Sequence, residues 1–324
     1  MVIKLGFIGY RNHAKRLIDI IEQRTDCTVS RIYHPTKPVN DLRVTNDLSK
    51  LFDCDAIVIA SPNSTHFDYI QKLDDFSGYI LCEKPPAISL EELDNIERLP
   101  KQKKIKLFFN FNYRFSGLSE KIGNYLNSEV LGKIIHIDII TTHGLAFKQE
   151  YRNSWRANGK ENIHNILDTV TIHYLDLINF YLSNNFSHYY LPRLLSSNGT
   201  SYDTNLLILQ YDAGPTISIL NSYATSYMNE LLVIGTNGYL SIRNDTFEIR
   251  SPRDTFDEKG FFISPPIFQN DAFQMQEDYN MSLRKSLDYF ITRVKENDNL
   301  DLDHFDASIS TARLLFKIKN NLIN

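Results

Sequence analysis

The sequence predicts a fold of two parts: an α/β Rossmann-type doubly wound parallel sheet over residues 1–114, then an α+β domain over residues 115–324. Three observations predict it. Short apolar runs alternate with helical stretches in the first third. One of those runs has no polar residue at all, which marks a strand covered on both faces. The later runs instead alternate apolar and polar residues and meet at turns, the pattern of an open, mostly antiparallel sheet with one face covered.

Residues 3–9 form the first run, β-branched and aromatic, ending at Gly9. Residues 13–23 carry Leu17, Ile20 and Ile21 at helical spacing. Runs at 28–33 and 56–60 (AIVIA) follow, and 79–82 and 107–111 continue the series. Ser89, with Glu92 three residues on, is a capping box that opens a helix running to about residue 99, where Pro100 stops it. In the second part, residues 133–142, 204–211, 216–223, 230–234 and 239–242 alternate. Asp212-Ala213-Gly214-Pro215 and Thr236-Asn237-Gly238 supply the turns. Helical patterns at 162–182, 279–296 and 305–322 cover one side of the sheet, and the last of them has the option of packing back on the first domain. Residues 244–273, rich in Pro, Asp and Phe, read as a long loop.

At 324 residues the chain exceeds one ordinary core, so two domains are expected. A net charge of -4 argues against a nucleic-acid surface. No apolar run approaches a membrane span, and the start lacks a signal-peptide pattern. Cys27, Cys54 and Cys82 are odd in number and far apart, with no CxxC pair, which fits a reducing cytoplasm.

The first strand runs into Gly9-Tyr10-Arg11-Asn12-His13-Ala14. A dinucleotide turn asks for G-x-G-x-x-G/A, with each small residue there for its own reason. Gly9 makes the tight turn and Ala14 allows close helix packing. Arg11 occupies the middle position, where a glycine lets backbone approach a pyrophosphate. The helix start, with Asn12, still offers N–H groups to an anion. Arg11 either folds outward and pairs with a phosphate, or blocks the site. About 20 residues on, NAD-binding chains carry an acid for the ribose. Here the sequence reads His34-Pro35-Thr36-Lys37, without one. Thr36 and Lys37 suit a 2′-phosphate, which leans the choice between NAD and NADP toward NADP.

Further motifs sit at strand ends, where open α/β sheets bind ligands. Ser61-Pro62-Asn63 and His66 follow the AIVIA run, and Glu83-Lys84-Pro85-Pro86 follows the next. Asn112-Tyr113-Arg114-Phe115, Ser154-Trp155-Arg156 and His173-Tyr174-Leu175-Asp176 come later. In this order and spacing, across essentially the whole chain, they resemble the glucose-fructose oxidoreductase / inositol dehydrogenase (Gfo/Idh/MocA) family. The resemblance implies that Lys84 reaches the nicotinamide and the substrate hydroxyl, and that His173 is the general acid/base. It implies cofactor contacts at Gly9, Arg11, Asn12, Ala14, His34, Thr36, Lys37, Ser61, Pro62, Asn63, His66, Glu83 and Lys84. Tyr113, Arg114, Trp155, Arg156 and Asp176 would border the substrate, with Arg156 a candidate for an anionic group.

The sequence departs from the family at one place. The family carries Asp-x-x-x-His after a glycine run, but four residues before His173 stands Thr169, and Asp168 is one residue early. On an α-helix one residue is a rotation of about 100°, so Asp168 and His173 would not share a face cleanly. Either the backbone bulges to bring Asp168 inward, or Thr169 takes its place and the orienting carboxylate is lost. His164 and Asn165 replace the glycines and are candidate substrate contacts. His164, Asp168, His173 and Asp176 do not form a metal motif such as HExxH, and no metal is expected.

The expected activity is hydride transfer between an NAD or NADP cofactor and a hydroxyl carbon of a sugar, sugar nucleotide or polyol. The exposed face of the antiparallel sheet would join subunits into a dimer or tetramer. Two alternatives stand beside this reading: a non-redox family member that senses a sugar or nucleotide, and an enzyme that uses its cofactor transiently during elimination.

Overall fold

The computed structural model describes residues 2–35, 40–182, 185–253 and 255–320. The chain divides into two compact units, Met1–Phe115 with Asn280–Phe316 and Ser116–Tyr279 with Lys317–Asn324.

The first unit holds a wholly parallel sheet of β1 (Ile3–Ile8), β2 (Cys27–Tyr33), β3 (Val44–Thr45), β4 (Ala56–Ile59), β5 (Tyr79–Glu83) and β6 (Leu107–Asn110). Their order is β3-β2-β1-β4-β5-β6. The winding reverses between β1 and β4, so the loops leaving those two strands part and open a crevice at their carboxyl ends. Helices α1 (Asn12–Glu22), α2 (His66–Lys72), α3 (Leu90–Glu97) and α4 (Lys101–Lys104) connect the strands. Every residue of β4 is fully buried, as its unbroken apolar run requires. Ser89 caps α3 by accepting the Glu92 N–H at 3.2 Å, and the Glu92 carboxylate accepts the Ile88 N–H.

The second unit holds an eight-stranded sheet in the order β14-β13-β12-β11-β7-β10-β9-β8. The strands are β7 (Ile134–Thr142), β8 (His188–Leu195), β9 (Thr204–Gln210), β10 (Thr216–Ser222), β11 (Met228–Gly235), β12 (Tyr239–Arg243), β13 (Thr246–Arg250) and β14 (Ile267–Ala272). All pairs are antiparallel except β7 with β10. Helices α5 (Gly117–Tyr125), α6 (Gly159–Asn162) and α7 (Ile172–Leu182) belong to this unit. Leu118 and Ile122 of α5 and Leu177 and Ile178 of α7 line a small apolar cavity with Ile137, Ile139, Leu231 and Val233 of the sheet. The turns at residues 212–215 and 236–238 join β9 to β10 and β11 to β12.

Helices α8 (Met275–Glu296) and α9 (Leu302–Asn320) end the described chain. Most of both belongs to the first unit, where Phe290 packs on Phe108 and Phe305 on Phe109 with ring centroids 6.2 and 5.8 Å apart. Among the described residues no helix is long and apolar enough to cross a membrane. All three cysteines are buried thiols.

Three elements differ from the sequence reading. Residues 244–273 are not one loop, because β13 and β14 lie within them. Asn244 and Asp245, at φ +49° and +58°, make the two-residue turn between β12 and β13, and Phe247 and Ile249 are fully buried. Strand β8 escaped notice because neither of its faces is well covered, so no alternation marks it. The helical stretch at 162–182 is also interrupted: a π-helical turn, Leu167–Thr171, precedes α7.

Candidate active site

Gly9 closes β1 at φ +106°, and a Cβ there would stand 2.6 Å from the Ala60 carbonyl oxygen. Only glycine fits this close crossing of the β1 and β4 ends. Helix α1 begins three residues later with Arg11 as its N-cap. Arg11 is exposed, so it does not fill the turn. Its side chain makes no cap bond, and no acid stands in the first helical turn. The first N–H groups are thus open to an anion, and Ala14, fully buried, lets the helix pack close. These residues fit a dinucleotide pyrophosphate.

Glu83 ends β5 and is 7% exposed. It accepts the Asn110 amide at 2.7 Å and pairs with His13 of α1 at 2.9 Å. Burial alone would raise its pKa, but His13 and the Asn110 hydrogen bond outweigh burial and hold it below the ordinary value. Its carboxylate is therefore committed to binding β5, β6 and α1 together, and a direct cofactor contact is corrected to a supporting one. Lys84, half-buried, comes next, ahead of a cis Lys84–Pro85 bond.

His66 is a second correction. It is fully buried, with Nδ1 2.8 Å from the Pro85 carbonyl and Nε2 3.1 Å from that of Ser61. Burial lowers its pKa, so a neutral ring keeps one proton, which the shorter contact assigns to Nδ1. Through its Nδ1–H donated to the Pro85 carbonyl, His66 fastens the start of α2 to the loop after β5. Around it, Ser61 and Thr65 share a hydroxyl hydrogen bond of 2.7 Å, while Pro62 is exposed and Asn63 half-buried in a short 3₁₀ turn.

Arg114 is the third. It is buried, donating to the His304 carbonyl at 2.8 Å and Ser308 Oγ at 3.2 Å, with its guanidinium over the Phe111 ring. It anchors α9. Tyr113 beside it is half-buried. His34 is half-buried after β2, while Thr36 and Lys37 lie outside the described residues. Asp41 went unnoticed in the sequence because a loop carries it back. It accepts the Tyr10 hydroxyl at 2.9 Å beside the glycine turn, and hydrogen bonding from Arg43 holds its carboxyl far below the usual range.

In the second unit the π turn changes the relation of Asp168 to His173. A π turn bonds residue i to i+5, so the fifth residue returns near the side of the first, as the fourth does in an α-helix. The extra residue between the two is absorbed there. The Asp168 carboxylate is nearly buried, with Oδ1 2.8 Å from Lys319 Nζ and Oδ2 accepting from Asn162 Nδ2 at 2.8 Å. Lys319, 151 positions along the chain, had no local signal. His164 lies near both charges, and its pKa is lowered by burial first and Lys319 second.

Thr169 faces another partner. It donates to the Asn165 carbonyl at 2.6 Å, and its oxygen is 2.5 Å from the Tyr223 hydroxyl. Tyr223 also stacks on His143, centroids 4.9 Å apart. The meeting follows from the sheet: Thr142 and Ser222 pair in the parallel β7–β10 ladder, so the next residue of each strand emerges at the same end. Trp155 and Arg156 stack on one another, with the guanidinium 4.4 Å from the ring centroid. His173 is 8% exposed, while Asn165 and Asp176 are fully buried. Among the described residues no three His, Cys, Asp or Glu side chains gather closely enough to hold a metal ion.

Strand order and glycine turn together define a Rossmann-type dinucleotide fold joined to an α+β unit. Residues 3–111 match the family model described as the oxidoreductase family (Gfo/Idh/MocA) with an NAD-binding Rossmann fold. The chain is similar to glucose-6-phosphate 3-dehydrogenase of Bacillus subtilis, 25% identical over 51% of this chain and 48% of that protein. Against inositol 2-dehydrogenase of Rhizobium meliloti it is 24% identical, covering 63% of this chain and 62% of that one. The chain thus spans about half to three fifths of the length of these curated relatives. Its fold is that of an Agrobacterium radiobacter oxidoreductase solved with NAD+, L-tartaric acid and magnesium: TM-score 0.76 and 18% identity over 97% of this chain and 94% of that chain. A myo-inositol dehydrogenase of Corynebacterium glutamicum gives a TM-score of 0.72 at 22% identity, over 98% and 96%.

Proposed function

We propose that the protein is an NAD- or NADP-dependent oxidoreductase acting on a hydroxyl carbon of a sugar, sugar nucleotide or polyol. The observation that carries this reading is Lys84, placed at the carboxyl end of β5 by the clamp of Glu83 on His13 and by the His66 hydrogen bond to the Pro85 carbonyl. That strand end lies beside the crevice at the Gly9 turn. When bound, the nicotinamide supplies the hydride acceptor or donor. Gly9, Asn12 and Ala14 seat the pyrophosphate on the α1 N-terminus, with Arg11 outside the turn.

Lys84 holds the substrate hydroxyl and lowers the cost of removing its proton, and His173 takes or returns that proton. Asp168, brought round by the π turn and paired with Lys319, orients His173. Names of relatives that act on inositol and on glucose 6-phosphate support a polyhydroxylated substrate. His34, with Thr36 and Lys37 beyond it, favours NADP over NAD. The buried thiols suit a cytoplasmic protein.

A second copy of the chain covers the outer face of the second sheet. There Leu206, Leu220 and Ile140 form a cross-strand row of half-exposed apolar residues, while their neighbours Leu207 and Ile219 are buried.

The test is calorimetric titration of purified protein with each dinucleotide, followed by turnover with Lys84→Ala. Lys84→Ala should keep dinucleotide affinity within several-fold and lose about 100-fold or more in kcat. Absence of binding to both NAD(H) and NADP(H) sinks the reading and leaves the non-redox alternative.

A further inference from the structure

Side chains in the second unit gather hydrogen-bond donors around one guanidinium that has no counter-ion among the described residues. Arg156 is half-buried beside Trp155, and among the described residues no carboxylate lies within ion-pairing distance of it. Its charge reaches the Tyr223 hydroxyl and the His143 ring, lowering the pKa of each, while burial raises that of Tyr223 and lowers that of His143.

The hydroxyls are ordered. Thr169 gives its proton to the Asn165 carbonyl, so the Tyr223 O–H donates to Thr169 Oγ1. The Asn165 Oδ1 is 3.3 Å from the same Thr169 oxygen, and its Nδ2, fully buried, has no hydrogen-bond partner. A buried amide N–H₂ left unpaired is costly, and it points to an acceptor that the protein itself does not supply. His143 accepts the Leu145 N–H on Nδ1 at 3.3 Å, so its neutral ring carries the proton on Nε2 and adds one more donor.

Carboxylates nearby are already committed. Asp203, close enough to Tyr151 to raise its pKa, accepts from the Ser197 and Asn198 N–H groups and the Ser197 and Thr204 hydroxyls. Asp168 is bound by Lys319 and Asn162.

We propose that the substrate carries an anionic substituent, a carboxylate or a phosphate, which pairs with Arg156 and takes donors from His143 Nε2 and Asn165 Nδ2, with the Tyr223 and Thr169 hydroxyls spent on holding the cluster in place. This rests on the oxidoreductase reading above and narrows its substrate from any sugar-like polyol to an acidic one. A guanidinium suits either oxyanion, because its fork meets two oxygens at once.

The test separates binding from turnover. Thermal-shift and calorimetric titrations of the full chain would use glucose, myo-inositol, glucuronate, gluconate and glucose 6-phosphate, with and without dinucleotide. At least one of the three anions should bind roughly 10- to 100-fold more tightly than the neutral pair, and Arg156→Met should remove that preference while Arg156→Lys restores part of it. Preference for the acids over glucose 6-phosphate assigns the anion as a carboxylate, and the reverse assigns a phosphate. In turnover, Arg156→Met should cut the ratio of acidic to neutral kcat/KM by the same factor, chiefly through KM. Equal binding of neutral and anionic ligands, or a preference that Arg156→Met leaves intact, overturns the proposal. Those outcomes are distinct from failure of the oxidoreductase reading, which shows as absence of dinucleotide binding.

Discussion

At the scale of single residues, side chains of similar appearance in sequence divide into contacts and supports. His66, Glu83 and Arg114 all lie in motifs expected to touch ligand, yet each spends its polar atoms within the first unit. A polar side chain that is buried must be satisfied, and the nearest backbone or carboxylate satisfies it before any ligand can. His66→Ala should therefore destabilise the protein by roughly 2–4 kcal/mol, since it leaves a cavity and an unpaired Pro85 carbonyl. Urea denaturation measures this, and a change below 1 kcal/mol argues against the fastening.

His304 carries a pH prediction. Burial and the adjacent Arg114 push its pKa down from 6.5 to about 4. Above pH 6.5 it is neutral in both folded and unfolded chains. As pH falls through that value the unfolded chain takes up a proton that the folded one refuses, so stability drops by about 1.4 kcal/mol per unit and levels below about pH 4. His304→Phe, which keeps a ring against Phe115, should flatten this part of the stability–pH curve. An unchanged slope would locate the acid sensitivity elsewhere.

Among elements, the π turn decides how the site of the second unit is built. An α-helix through residues 162–182 would set Asp168 on the wrong face from His173, and the sequence left open whether a bulge or Thr169 resolves this. The π turn accompanies an Asp168 bound to Lys319 and Asn162, while Thr169 turns to Tyr223. Deleting Val170 should convert the π turn to an α turn, with Asp168 at four-residue spacing from the histidine. The expected outcome is a folded protein that keeps the Lys319 pair, read as an unchanged effect of Lys319→Met in that background. Lys319→Met itself should cost about 3–5 kcal/mol, because it leaves a buried carboxylate without its cation, and adding Asp168→Asn should recover much of it. Full additivity of the two changes would rule out the pair.

For the molecule as a whole, the second sheet raises the question of assembly. Its inner face is buried under α5 and α7, whereas Leu206, Leu220 and Ile140 on the outer face remain half-exposed. Leu220→Glu places a charge in the middle of that row. By light scattering the native chain should be a dimer or tetramer and the variant a monomer with an unchanged far-UV spectrum; a monomeric native chain defeats the prediction.

Periodicity alone determined the parallel sheet, the central strands of the second sheet and the glycine turn at Gly9, because burial on one or both faces writes itself into the order of residues along the chain. Strands β8 and β14 are exposed on both faces and left no such record. Strand β13 has its buried pair Phe247 and Ile249, but it is short and follows a turn of Asn and Asp rather than glycine. The motifs nominated Lys84, His173 and Arg156 by spacing. Only the tertiary structure decided which neighbours act as supports, since Asn110, Lys319 and Tyr223 reach Glu83, Asp168 and Thr169 from 27, 151 and 54 positions away. Contacts of that separation are set by strand order, helix return and one π turn, and none of these is periodic in sequence.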